Sequence, residues 1–121
     1  MSSYNDLEIY KMAYENAIKV HEMSLELPKY ELYEQGSQIR RSTKTIKDTI
    51  AEGYGRRRYK ADFIKFLVYA QSSCDETLSQ LNMISDIHFK ENPLTDLIEK
   101  YQILGKKINK FIDYVEKNWK R

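Results

Sequence analysis

The side chains best suited to chemistry in this sequence are cations that lie close together. Residues 40–65 hold nine basic residues against three acidic ones, whereas the whole chain of 121 residues carries a net charge of only +2. Clustered Lys and Arg side chains neutralise the phosphates of RNA or DNA, and exposed tyrosines stack on unpaired bases. The sequence therefore predicts a nucleic-acid-binding region whose cations are Arg40, Arg41, Lys44, Lys47, Arg56, Arg57, Arg58 and Lys60 and whose base-stacking side chains are Tyr54 and Tyr59.

The same cations also have a structural interpretation. Basic side chains after a helix complement the partial negative charge at its C-terminus, and a run of charges is often only a solvated surface. Glu52 is predicted to pair with Arg41 or Arg56, and Arg41 also falls near Asp48 on a helix. The residue types alone leave both interpretations open.

Helical periodicity indicates how the cations are positioned. In a helix, Ile39, Ile46, Ile50 and Gly53 share one narrow stripe, which would face a core. Arg40, Lys44 and Lys47 lie about 120° away from that stripe and form one row. Gly53 is predicted to end this helix, because glycine adopts a positive φ without strain.

Three further segments show the same period. The first helix is predicted over about residues 6–27, with Asn5 or Asp6 as its cap, Pro28 at its end, and Tyr14 and His21 on its inward face. The remaining helices are predicted over about residues 36–53, 60–87 and 93–117, the last capped by Asn92 ahead of Pro93. Residues 1–121 are thus predicted to form one domain of the all-α class, an up-down-up-down four-helix bundle.

Residues that could catalyse a reaction or hold a metal form no recognisable constellation. His21 and His88 lack the glutamate three positions earlier that a di-metal helical bundle requires. Cys74 is predicted to face the core beside acidic residues, which raises a thiol pKa rather than activating the thiol. Gly53-Tyr54-Gly55 lacks the strand and the third glycine of a dinucleotide-binding loop. The sequence predicts no catalytic residue, no metal site and no cofactor, and therefore a protein that is not an enzyme.

Composition sets the expectations for location and assembly. One cysteine cannot form an internal disulfide, no apolar run has the length of a membrane span, and the first residues lack an export pattern. We therefore expect a cytoplasmic protein with no membrane partner. Aromatic side chains at Phe63, Phe66 and Tyr69 favour contacts between subunits. Tyr30 and Tyr33, in the first connection, suit a subunit contact or a ligand contact equally.

Several motifs in these segments resemble one known family. They are Gln38-Ile39-Arg40-Arg41, Ile50-Ala51-Glu52-Gly53-Tyr54-Gly55-Arg56 and Phe63-Ile64-Lys65-Phe66-Leu67, with Asp6-Leu7-Glu8-Ile9-Tyr10, Ala13 and Leu27-Pro28 before them and Ser73, Glu76, Gln80 and Leu81 after them. Together they are similar to the signature of the bacterial four-helix bundle proteins encoded in 23S rRNA intervening sequences. The chain departs from that signature at Lys47 and Thr49, where the family usually has Pro and Asn.

The resemblance implies a four-helix bundle that assembles as a homopentamer around a basic channel. It also implies a relation to accessory proteins of diversity-generating retroelements, which accompany a reverse transcriptase and bind nucleic acid. With the charge pattern, it favours a non-catalytic, oligomeric protein that binds RNA or DNA through the second helix and the arginine loop. The alternative is a protein-interaction module or adaptor whose basic face docks an acidic partner.

Overall fold

The computed structural model describes residues 3–120, and over this range the chain forms helices and turns but no β-strand. A 3-10 turn spans Tyr4–Asp6. The α-helices are α1 (Glu8–Ser24), α2 (Lys29–Leu32), α3 (Gln35–Gly55), α4 (Lys60–His88) and α5 (Thr95–Asn118). α1 and α4 each pack against both α3 and α5, so the four long helices close into a ring. The prediction of an all-α, up-down-up-down four-helix bundle is confirmed.

The stripe predicted for the second helix lies in the core. Ile39, Ile46 and Ile50 are fully buried, and Gly53 is buried beside them. Removing apolar surface from water is the main driving force for packing such amphipathic helices. Small side chains on the same face let α4 approach α3 closely, and there Ser42 Oγ lies 2.9 Å from Thr77 Oγ1 and donates to Gln80 Oε1 at 2.8 Å.

Gly53 does not end the helix, contrary to the prediction. α3 continues through Gly55, and the Arg56 backbone N–H closes its last turn on the carbonyl of Gly53 at 3.0 Å. The reason for glycine is close packing. A Cβ at Gly53 would lie 3.0 Å from the Phe66 Cβ and 3.4 Å from the Phe63 carbonyl oxygen. Gly53 is therefore a close-packing residue inside α3, not the residue that ends the helix.

The buried face of α1 is narrower than predicted. It is centred on Ala13, Ala17 and Val20, whereas Tyr14 is 48% exposed and His21 is also exposed. Both side chains lie at the edge of α1 that faces α3. α1 also begins after the 3-10 turn, so neither Asn5 nor Asp6 caps it, and it ends at Ser24 before reaching Pro28.

The connection between α1 and α3 is tied down by side chains. Pro28 precedes the short helix α2, which lies where only a loop was predicted. Glu31 of α2 bonds His88 at the end of α4, with 2.8 Å between Oε2 and Nε2, and both side chains are largely buried. The Glu31–His88 hydrogen bond therefore holds α2 against the end of α4.

The last connection also differs from the prediction. α5 begins at Thr95, and neither Asn92 nor Pro93 forms its start. Instead the Leu94 backbone N–H donates to Ser85 Oγ of α4 at 3.0 Å. None of the helices in residues 3–120 combines the length and the apolar character needed to cross a membrane.

Candidate nucleic-acid interface

Three of the predicted cations project freely from the surface. Arg41 and Lys44 lie one turn apart on the outer face of α3, opposite its isoleucine stripe, and Arg58 lies in the loop after α3. All three are exposed, and no hydrogen bond or ion pair engages their side chains within the described chain. The expected pairing of Arg41 with Asp48 or Glu52 is therefore wrong.

Two other cations take up the acidic residues of the segment. Lys47 bonds Asp48 at 2.7 Å, and this hydrogen bond raises the pKa of Lys47 above its ordinary value. Arg56 reaches Glu52 at 3.4 Å and Asp62 at 3.6 Å. The prediction that Glu52 pairs with Arg41 or Arg56 thus resolves in favour of Arg56.

Arg40 has a structural role that the sequence did not indicate. Its Nη1 donates to Ser24 Oγ and its Nη2 to the Leu32 carbonyl oxygen, both at 2.8 Å. The side chain is partly buried and joins the end of α1 and α2 to the start of α3. Arg40 therefore does not form one exposed row with Lys44 and Lys47, as the sequence predicted. No carboxylate of the described chain neutralises its charge.

The arginine loop, residues 56–59, is held at both sides. Arg57 Nη1 donates to the Tyr54 carbonyl oxygen at 2.9 Å, and its guanidinium lies 4.0 Å from the centre of the Tyr54 ring. Trp119 Nε1, at the end of α5, donates to the Arg57 carbonyl oxygen at 3.0 Å. Lys60, which opens α4, donates to the Glu116 carbonyl oxygen. These bonds fix the loop against α5 and use neutral acceptors.

The two predicted stacking tyrosines have different surroundings. Tyr54 is only 4% exposed and packs edge-on against Phe63 at 6.1 Å between ring centres. Its ring is therefore closed to a base, and that prediction for Tyr54 is wrong. Tyr59 is 64% exposed at the end of the arginine loop, where a ring can reach solvent.

Most of the positive charge of residues 40–65 is not neutralised by carboxylates. The three acids among residues 40–65 pair only with Lys47 and Arg56, so the other seven cations have no carboxylate within salt-bridge distance in the part of the chain described. Hydrogen bonds to carbonyl oxygens orient Arg57 and Lys60 but leave their charge intact. Such a surface attracts anions over several ångströms.

Sequence reasoning missed residues whose role depends on distant parts of the chain. Trp119 lies sixty-two positions from Arg57, and no local pattern signals their hydrogen bond. Phe63 was expected at a subunit contact but is fully buried against Trp119 and Phe111. Of that aromatic group, Tyr69 is 45% exposed and Phe66 is half-buried.

Among residues 3–120 the cysteine thiol is buried and no metal-binding cluster forms. Cys74 is fully buried, and burial, with a smaller effect of Asp75, raises the pKa of its thiol to about 12. The prediction of an unreactive, core-facing thiol is confirmed. Within residues 3–120, no three His, Cys, Asp or Glu side chains lie close enough together to hold a metal ion.

Fold and surface together define a small four-helix bundle protein with a basic loop at one end. Comparison with known families makes the assignment specific. The model of the family described as 23S rRNA-intervening sequence protein matches residues 5–110, and the chain belongs to this family. The resemblance seen in the motifs is therefore confirmed. No curated protein matches the chain in sequence.

Proposed function

We propose that the protein binds RNA or DNA, without catalysis, through the outer face of α3 and the arginine loop. One observation carries the proposal. All three acids of residues 40–65 are taken up by Lys47 and Arg56, which leaves Arg41, Lys44 and Arg58 exposed and unpaired within the described chain. Next to them lie Arg57 and Lys60, whose hydrogen bonds to carbonyl oxygens leave their positive charge intact. Exposed positive side chains of this kind bind the phosphates of a nucleic-acid backbone.

A salt titration tests this proposal. Binding of a fluorescein-labelled 20-nucleotide single strand and of a duplex is measured by fluorescence anisotropy from 50 to 300 mM KCl. The test variant is Arg41→Ser/Lys44→Ser/Arg58→Ser, which removes no hydrogen bond or ion pair within the described structure. If all three side chains meet phosphates, the slope of log K against log salt flattens by ~2 on single strands and by slightly more on duplex.

A charge-matched control separates position from total charge. Lys19, Lys90 and Lys106 are also exposed, and none has a side-chain partner among the described residues. Lys19→Ser/Lys90→Ser/Lys106→Ser should keep the parental affinity and slope. Equal losses in both variants, or no binding by the parent at 50 mM KCl, would reject the proposal. The basic face would then fit the alternative, a surface that docks an acidic protein.

We also propose that the protein assembles with itself. Support comes from large apolar side chains left on α4, where Val68 is 41% and Tyr69 45% exposed. The family resemblance favours five subunits. Light scattering at micromolar concentration should then give about five times the 14.5 kDa of one chain. A monomeric mass that does not change with concentration would refute self-association.

The absence of catalysis is the third part of the proposal. His88 is largely buried and bonds Glu31, while His21 is exposed on α1 and has no side-chain partner among the described residues. We expect labelled RNA to survive incubation with the protein, with or without Mg²⁺. Cleavage that disappears in His21→Ala or His88→Ala would overturn this expectation.

A further inference from the structure

Three tyrosines form a row along the 3-10 turn and the first half of α1, outside the basic surface described above. Tyr4 and Tyr10 meet edge-on with ring centres 4.8 Å apart, and Tyr10 lies 6.1 Å from Tyr14. Tyr4 is 38% and Tyr14 48% exposed, while Tyr10 is half-buried between them. We call Tyr4, Tyr10 and Tyr14 the tyrosine row. Exposed rings forgo the stabilisation that burial would give, and they offer flat apolar surface to a ligand.

The row borders two open grooves that share Tyr14. One groove, of about 440 Å³, is lined by Tyr4, Asn5, Tyr10, Lys11, Tyr14 and Glu15. The second groove, of about 450 Å³, lies between α1 and α3 and is lined by Tyr14, Ala17, Ile18, His21, Glu22, Lys44 and Lys47. Each groove has the size of sites that accept flat organic groups. Tyr14 thus presents ring surface to both.

Cations stand at the edges of these grooves. Lys47 Nζ lies 6.0 Å from the centre of the Tyr14 ring and is held there by Asp48. Lys44 is exposed beside it, and Lys11 borders the other groove. Glu15 and Glu22 are the acids that line the grooves, and Asp48 neutralises Lys47, so Lys44 and Lys11 are the cations without an acidic partner in the described chain. Apolar and aromatic floors with lysines at the side favour a ligand that has both flat rings and negative charge.

The row is continuous with the basic loop. The 3-10 turn that carries Tyr4 packs against α3, and Leu7 lines a common pocket with Tyr54, Arg57 and Trp119. Lys44 precedes Tyr54 by ten residues, which is a rise of about 15 Å along α3. One extended strand can therefore run from the arginine loop, along the tyrosine row, to Lys44.

We infer that the tyrosine row binds unpaired nucleotides, with bases against Tyr4 and Tyr14 and a phosphate at Lys44. This rests on the proposed nucleic-acid binding and adds a preference for single strands. Bases of a duplex are stacked on each other and cannot lie on a side-chain ring, whereas every unpaired base has a free π-face. RNA and DNA share this chemistry, so the row accepts either.

The test compares strands with and without accessible bases. Anisotropy is measured with labelled 12-nucleotide single strands of RNA and of DNA and with duplexes of equal length. Tyr4→Ala/Tyr14→Ala should weaken single-strand binding by about 5- to 150-fold for each base that stacks, and duplex binding by less than about 2-fold. Tyr4→Phe/Tyr14→Phe keeps the rings and should retain parental affinity for single strands.

Tyr30 in α2 and Tyr33 just after its end provide the matched control, because they are even more exposed, at 72% and 77%. Tyr30→Ala/Tyr33→Ala should leave both affinities unchanged. A 4-thiouracil-containing strand should also cross-link to the peptide of residues 4–18 when irradiated, which needs no variant to fold.

The outcomes are distinguishable. Equal affinity for single strand and duplex, with no effect of Tyr4→Ala/Tyr14→Ala and no cross-link, overturns this inference and leaves the proposed function standing. No binding to any strand overturns both. Loss of the oligomer in the alanine variant, with strand binding unchanged, assigns the row to a contact with a second copy of the chain and overturns the inference as well.

Discussion

Replacement of Gly53 by alanine tests the packing that positions the arginine loop. Alanine is favoured over glycine inside a helix by about 1 kcal/mol, so propensity alone predicts stabilisation. The added Cβ, however, would lie 3.0 Å from the Phe66 Cβ and 3.4 Å from the Phe63 carbonyl oxygen. Neither atom can rotate away, because both are fixed to the backbone of α4. The two helices must therefore move apart.

Overpacking of this kind typically costs about 1–3 kcal/mol. After the gain of about 1 kcal/mol in helix propensity, we expect Gly53→Ala to lower the free energy of unfolding by up to about 2 kcal/mol. Urea denaturation followed by circular dichroism measures this change, and a parallel thermal scan should show Tm lower by up to ~8 °C. Because α3 and α4 meet at the arginine loop, affinity for nucleic acid should fall as well.

Gly55→Ala is the matched control two residues away. A Cβ at Gly55 would meet no atom within 4 Å, and its φ is not in the left-handed region, so this variant should gain up to about 1 kcal/mol. Stabilisation of equal size in both variants would show that Gly53 is not a close-packing residue. Close packing would then not be the reason for glycine at this position of the motif.

Three further variants test the remaining contacts. Arg40→Met should cost about 2 kcal/mol in urea denaturation, because it leaves Ser24 Oγ and the Leu32 carbonyl oxygen without their charged donor; an unchanged midpoint would contradict this. His88→Ala should cost about 1–3 kcal/mol in the same assay and increase hydrogen exchange in α2, because the largely buried Glu31 carboxylate loses its partner. Burial raises the pKa of the Cys74 thiol from its ordinary 9.0 to about 12, so the unfolded chain binds fewer protons than the folded one between these values. Stability should therefore fall as pH rises from 9 to 12, by at most ~1.4 kcal/mol per pH unit for this group, and Cys74→Ala should show a shallower fall than the parent.

The helical bundle follows from local information. A three- and four-residue period of apolar side chains requires a neighbouring surface, and four such segments joined by short connections can satisfy each other only as a bundle. The buried isoleucines of α3 and the burial of Cys74 are predicted on the same basis. The motifs around Arg40, Gly53 and Phe66 also indicate the family, whose model matches residues 5–110.

The state of each cation depends on contacts between distant residues. Arg40, Arg41 and Lys44 look alike in the sequence, yet Arg40 bonds groups eight and sixteen positions away while the other two stay free within the described chain. The sequence determines how much positive charge residues 40–65 carry. Only the tertiary structure decides which charges are cancelled, because hydrogen bonds and ion pairs depend on distances of a few ångströms that the packing of the helices sets.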